Sequence, residues 1–127
     1  MTDDHFSADD VRLLLDLCFV AAGRAAVDDT DAMAEGLLAL RPGLEGPELA
    51  RALARLNAGQ ADEAVTLLRA RRPASADARP LHDAVLGLAL QLAGRSGESR
   101  RVLEQAASMP GAGLARALLG LPQECSA

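Results

Sequence analysis

The chain has 127 residues, of which half are apolar and 24% are charged, and its net charge is −5. That length suits one domain with its own hydrophobic core and is short for two. The negative charge disfavours a nucleic-acid partner, because proteins that bind phosphate backbones usually present a basic surface and aromatic stacking platforms.

The kind of apolar residue predicts the fold class. Leu and Ala dominate, whereas Ile, Trp and Tyr are absent and Phe occurs twice. Strands favour β-branched and aromatic residues, and helices favour Ala and Leu. We therefore predict an all-α protein.

Cysteine usage and the N-terminal sequence bear on the compartment. Cys18 lies within an apolar helical pattern and Cys125 in the polar tail, which does not suggest a disulfide framework. The first residues, 1–5, are acidic, whereas a signal peptide begins basic and then becomes apolar, and no apolar run approaches membrane-spanning length. We expect a cytoplasmic location, with a periplasmic or surface-associated one, reached by a route without a cleavable signal, as the alternative.

The first two helices are predicted from caps and stop signals. The Ser7 hydroxyl can cap a helix start, and Gly23 is expected to end that helix. A loop from Arg24 to Asp31 then precedes a second helix, about Asp31 to Leu40, which Pro42 stops because proline cannot continue the hydrogen-bond ladder.

The remaining elements follow from proline, glycine and apolar spacing. A linker rich in proline and small residues is expected over 72–80, and the termini, 1–6 and 121–127, are expected to be loose. The predicted helices are about Pro47–Ala58, Ala61–Arg71, Leu81–Ala93, Glu98–Ser108 and Gly113–Leu119.

The first helix is apolar on two sides. One stripe has the i, i+3, i+4, i+7 spacing of a buried face and comprises Val11, Leu14, Leu15, Cys18, Phe19 and Ala22. A second strip on another side comprises Leu13, Leu17 and Val20. A helix of this kind is either internal or covered by a partner.

Three turn glycines recur at nearly constant spacing. Gly23 and Gly59 are 36 positions apart, and Gly59 and Gly94 are 35 apart. A helix on each side of a glycine at such a period is typical of tetratricopeptide-like arrays. We predict one such domain over 1–127, with about three helical hairpins and a short C-terminal helix, and Gly87 at a position of close helix packing. A plain helix bundle with accidental glycine spacing is the alternative.

Residues that could carry chemistry are few. His82 and Asp83 are adjacent on a predicted helix and should point in different directions, so we expect a solvated or half-buried histidine rather than a metal ligand. No serine or cysteine has the base and acid that a nucleophile needs, and no glycine-rich loop suits a phosphate. We therefore expect no enzyme activity, no cofactor and no metal.

A basic cluster follows the fourth predicted helix. It comprises Arg69, Arg71, Arg72 and Arg79. Such a cluster could hold an acidic partner segment, but a solvated helix end is favoured, since cations suit a helix C-terminus.

The inner face of the predicted array is the candidate binding surface. Stacked hairpins place the first helix of each pair on the concave side, where an amphipathic partner helix could cover an apolar strip. The alternative is a short array that closes on this strip. The predicted groove residues are Leu13, Leu17, Val20, Leu49, Leu53, Leu56, Ala84, Leu88 and Leu92.

These features resemble small tetratricopeptide-like proteins of bacterial type III secretion. The segment 29–42, acidic, then apolar and ending in Leu-Arg-Pro, is similar to the second helix of the HrpK-like group of plant-pathogen systems. The turn and helix from Gly59 to Leu68 and the closing residues 115–119 fit that group and also the needle-subunit co-chaperone family, YscG and PscG. The resemblance spans about Val11 to Gly120.

This resemblance implies a non-enzymatic role. Needle co-chaperones bury the amphipathic C-terminal helix of the needle subunit in a concave groove before export, usually with a second small helical co-chaperone. The HrpK-like group implies instead a component of the pilus or envelope. Our expectation is a secretion chaperone for a needle or pilus subunit, and the alternative is a structural or envelope-associated component that self-associates through the same surface.

Overall fold

The computed structural model describes residues 7–122, and within that range the chain is all-α, with seven helices and no strand. This confirms the predicted fold class, and a hairpin array is consistent with it. The helices are α1 (Ala8–Gly23), α2 (Val27–Leu40), α3 (Pro47–Asn57), α4 (Ala61–Ala70), α5 (Arg79–Leu92), α6 (Ser96–Ala107) and α7 (Gly113–Leu119).

The chain divides into two compact units between Gln60 and Ala61. Unit 1 contains α1 to α3, which all pack on one another, and unit 2 contains α4 to α7, in which α5 packs against each of the other three. The single domain expected over residues 1–127 stays a prediction. The expectations for Cys125 and the loose termini fall mainly on residues outside the described range.

Helix α1 begins as its sequence predicts. The Ser7 side chain accepts a hydrogen bond from the Asp10 backbone N–H, and the Asp10 carboxylate accepts one from the Ser7 N–H, both at 3.1 Å. This capping box satisfies two backbone donors that a helix N-terminus would otherwise leave without partners. The cap sets the start of α1, and its period then brings Val11, Cys18 and Ala22 into the core of unit 1.

Helix α2 begins four residues before the predicted Asp31. Asp28 and Asp29, predicted to lie in a loop, are in its first turn, where negative charge is favoured by the helix dipole. The Thr30 hydroxyl donates to the Ala26 carbonyl at 2.7 Å, and Thr30 is buried. The connection between α1 and α2 is therefore only three residues long.

Glycines with left-handed backbone end α3 and α5. Gly59 has φ +79 and Gly94 has φ +81. In the first turn the Gln60 N–H donates to the Arg55 carbonyl at 2.7 Å, and in the second the Arg95 N–H donates to the Leu90 carbonyl at 2.8 Å. Both turns thus have the geometry of the Schellman motif, in which hydrogen bonds satisfy the last carbonyl groups of a helix.

The same turn ends α1, but the left-handed residue there is Ala25, with φ 59. The Ala26 N–H donates to the Ala21 carbonyl at 3.1 Å, as Gln60 and Arg95 do in the other turns. Gly23 is the last residue of α1, as predicted, but the residue equivalent to Gly59 in the repeat is Ala25 and not Gly23. The corrected spacings are 34 and 35 residues, which match the tetratricopeptide period of 34 more closely.

The core of unit 2 depends on one close helix crossing. A Cβ added to Gly87 in α5 would lie 2.5 Å from the Cγ and Cδ2 atoms of Leu103 in α6. Beside it, the buried Ser99 hydroxyl donates to the Gly87 carbonyl at 2.6 Å. Gly87 therefore lies at a position of close helix packing, as the sequence predicted.

Two substitutions test the turn assignment. An alanine in the left-handed region costs about 1–2 kcal/mol. Replacing it by glycine removes this strain, but part of the gain in stability is lost because glycine has more conformational freedom in the unfolded state. We expect Ala25→Gly to raise the free energy of unfolding by up to about 1 kcal/mol and Gly59→Ala to lower it by about 1 kcal/mol. Urea unfolding followed by circular dichroism measures both. A lower stability of Ala25→Gly would contradict the assignment.

Candidate functional site

The outer face of α1 is an exposed apolar stripe. Leu13, Leu17 and Val20 are 59%, 46% and 51% exposed. Their i, i+4, i+7 spacing places them along one side of the helix, while Cys18 and Ala22 on the opposite side are buried against α2 and α3. We call these three residues the outer α1 stripe. The structure thus brings together the α1 part of the predicted groove.

The other predicted groove residues differ in exposure. In α3, Leu49, Leu53 and Leu56 are partly buried, and Leu53 packs against the core of unit 1. In unit 2, Leu92 is 60% exposed and Leu88 is partly buried.

Ala84 does not fit the prediction. It is fully buried in the core that α5 forms with α6 and α7, among Leu103, Ala106 and Ala115. The repeat pattern assigned it to the concave surface, but α5 is packed by three other helices and so has few accessible positions. Ala84 therefore offers no accessible surface to a partner.

An apolar groove lies between α1 and α2. Its volume is about 330 Å³, and Leu14 of α1 forms one side while Met33, Gly36, Leu37 and Leu40 of α2 form the other. We call it the α1–α2 groove. Leu14 precedes Leu17 by three residues, so the outer α1 stripe continues towards the groove. Sequence reasoning missed the groove, although a glycine inside a helical pattern was a usable signal.

A network of ion pairs fixes α2 against α3. The Asp31 carboxylate accepts hydrogen bonds from Arg55 at 2.7 and 2.8 Å and from Arg51 at 2.9 Å. Arg51 also contacts Glu48 at 2.9 Å. The pKa of Asp31 is lowered to about 2, mainly by the bidentate hydrogen bonds from Arg55 and, to a smaller extent, by the hydrogen bond from Arg51. The network holds the α2 side of the groove in place.

His82 is part of a buried polar cluster in unit 2. Its Nδ1 lies 3.0 Å from the Asp83 carboxylate, and its Nε2 lies 2.9 Å from the Leu68 carbonyl. Arg72 donates to the other oxygen of Asp83 at 2.8 Å. The expectation of a solvated or half-buried His82 pointing away from Asp83 was therefore wrong, because the two side chains are buried and in contact with each other. The cluster ties α4 to α5.

The other predicted basic residues also make contacts within unit 2. Arg69 donates to Glu98 at 3.0 Å, and Arg79 donates to the Pro73 and Ala74 carbonyls at 3.0 and 3.1 Å. Arg71 is exposed. Arg79 thus fastens the α4–α5 connection, and Arg69 links α4 to α6. Among residues 7–122, no group of three or more His, Cys, Asp and Glu side chains is arranged to hold a metal ion.

Comparisons with known proteins do not identify a family. No family model, curated protein or solved structure matches this chain. Within the described range, no helix combines the length and apolar character needed to cross a membrane. The resemblance to type III secretion proteins therefore stays a prediction that rests on the sequence pattern.

The Asp31 network predicts a pH-dependent stability. A carboxylate with a lowered folded pKa stabilises the fold above its unfolded pKa, and this contribution is lost as the pH falls from about 4 to about 2. We expect Asp31→Asn to lower the free energy of unfolding by about 1–2 kcal/mol at pH 6, since the pair is partly solvated. The difference from the wild type should shrink towards pH 2.

Urea unfolding at pH 6, 4 and 2.5 measures this difference. Asp16→Asn, at an exposed position on α1, is a matched control that should change stability by less than about 0.5 kcal/mol at pH 6. A difference between Asp31→Asn and the wild type that stays constant from pH 6 to 2.5 would contradict the role of the ionised Asp31.

Proposed function

We propose that this chain is a non-enzymatic type III secretion chaperone, which binds and masks an amphipathic helix of a needle or pilus subunit before export. The observation that carries the proposal is the outer α1 stripe, whose three large apolar side chains are about half exposed on a capped helix. Contiguous apolar residues on a protein surface commonly mark an interaction site.

The spacing of the stripe suits a helical partner. Leu13 and Val20 are seven residues apart, which is about 10 Å along the helix axis. An amphipathic helix repeats its apolar side chains over the same distance, so two such stripes can pack along one another. Extended peptides, by contrast, add to sheet edges, and residues 7–122 contain no strand.

Magnitudes indicate that the stripe is only part of the interface. Covering three half-exposed aliphatic side chains contributes about 3 kcal/mol, whereas association costs about 4–15 kcal/mol in lost freedom of motion. A stable complex therefore needs apolar area beyond the stripe. The α1–α2 groove, towards which the stripe continues at Leu14, supplies such area within unit 1.

The secretion role adds a physical reason for such a protein. A subunit that polymerises through an apolar helix must keep that helix covered until export. A cytoplasmic chaperone that supplies an apolar stripe meets this need, and a second small helical co-chaperone would stabilise the complex. These specific terms rest on the sequence resemblance, whereas the helix-binding role rests on the exposed stripe.

Co-expression with the needle or pilus subunit encoded in the same operon tests the proposal. We expect a complex that co-purifies with the wild type and is lost with Leu17→Asp, because a carboxylate at the interface would be desolvated without a partner. Leu81→Asp is the matched control, since Leu81 is also 46% exposed but lies in unit 2, and it should leave the complex intact.

Two outcomes would count against the chaperone role. If the complex survives Leu17→Asp, the outer α1 stripe is not the binding surface. If light scattering instead shows a homo-oligomer of the isolated protein that Leu17→Asp converts to a monomer, the alternative of a self-associating structural or envelope component is favoured.

A further inference from the structure

Gly36 lies in the interior of α2, and the fold itself does not explain it. Glycine in a helix interior is unfavourable relative to alanine because it has more conformational freedom to lose. At Gly87 that cost has a packing reason, since a Cβ would collide with Leu103. At Gly36 a Cβ would meet no atom of the rest of the chain within 4 Å. Contacts within the chain therefore do not require a glycine here.

The surroundings of Gly36 suggest a reason outside the chain. Gly36 lies in the α1–α2 groove, between Met33, three residues before it, and Leu40, four residues after it. These three residues share one face of α2. Since Gly36 has no side chain, the groove is open down to the helix backbone, and its volume of about 330 Å³ can receive large apolar side chains of a partner.

Charge around the groove indicates the partner's chemistry. Helices α1 and α2 carry seven acidic residues and one basic residue, Arg12, and they are followed by Arg24 and Arg41, so residues 8–41 have a net charge of −4. Asp31 is paired with Arg51 and Arg55. The other six acidic residues are exposed, and they are Asp9, Asp10, Asp16, Asp28, Asp29 and Glu35.

The positions of two of these acids along their helices place them towards opposite ends of the groove. Asp29 is on the same face of α2 as Met33, four residues before it, and Asp10 is four residues before Leu14 on α1. The three-residue connection makes α1 and α2 antiparallel. The N-terminal ends of the two helices therefore place a carboxylate near each end of the groove, where basic residues of a partner would be attracted.

We infer that the α1–α2 groove is the anchor site for a basic amphipathic helix, which inserts a large apolar side chain over Gly36 and places Lys or Arg against the acidic ends of the groove. This inference rests on the proposed helix-binding function and specifies its partner. Any side chain at position 36 would occupy the space that the anchor residue needs.

A designed peptide tests the inference without knowledge of the natural partner. The probe is a fluorescein-labelled helical peptide of about 18 residues, with Leu at i, i+3, i+4, i+7 spacing and Lys on its flanks. A second peptide carries Glu in place of every Lys. Fluorescence anisotropy at low and high salt measures the binding of both peptides. At low salt the basic peptide should bind at least about tenfold more tightly than the acidic one, and at high salt the ratio of their affinities should be smaller.

Gly36→Leu should weaken binding of the basic peptide by about tenfold or more, because the new side chain fills the groove. Its thermal midpoint should not fall, since leucine is a better helix former than glycine and the position is open. Gly36→Ala, which adds only a Cβ, should raise the midpoint by about 3 °C and weaken binding by about threefold. Ala117→Leu, at an exposed alanine of α7, is the matched control and should bind as the wild type does.

The remaining outcomes separate this inference from the proposed function. If both Gly36 variants bind normally while Leu17→Asp does not, the groove is not the anchor site and the outer α1 stripe keeps its role. If neither position affects binding, both proposals are overturned. Equal binding of the acidic peptide would overturn the basic partner. A wild-type homodimer that Gly36→Leu makes monomeric would identify a second copy of this chain as the occupant instead.

Discussion

Small side chains in the core of unit 1 determine which part of α1 stays exposed. Where the three helices meet, the buried residues are mostly alanine, with Cys18 on α1. Helices that meet through small residues approach closely and leave little room for large ones. On α1 the larger Leu14, Leu15 and Phe19 pack at the border of this core and are partly buried. Leu13 and Leu17 lie on the other side of the helix, so the exposed stripe follows from the helical phase that places Cys18 and Ala22 in the core.

Local signals in the sequence predicted the helices well, and contacts between helices were the main source of error. The Ser7 cap and the α7 bounds depend on neighbouring residues only and were predicted correctly. The left-handed Ala25 could not be recognised, because alanine seldom adopts that conformation and a nearby glycine offered a more usual choice. The contact between His82 and Asp83 depends on side-chain rotamers, which residue spacing does not predict.

The residues of the candidate site also fall into those that local periodicity predicts and those that depend on contacts between helices. Helical periodicity was sufficient to find the outer α1 stripe, because exposure of one helix face follows from burial of the other. It could not show that Ala84 is enclosed by three helices or that a groove opens beside Leu14, since both depend on which helices pack together. Gly36 was visible in the sequence, but only the open space above it distinguishes it from Gly87, whose space is filled.

The buried thiol of Cys18 has a practical consequence for the study of this protein. Its Sγ lies 3.7 Å from the Thr30 carbonyl, and burial, with Asp31 nearby, raises the pKa of the thiol. A thiol reagent can therefore modify Cys18 only when unit 1 opens. Since the chain has no Trp or Tyr, this reaction, in a Cys125→Ser background, supplies an internal reporter that fluorescence cannot. A partner helix bound to α1 would slow the labelling, so occupancy could be followed without a fluorescent label on either molecule.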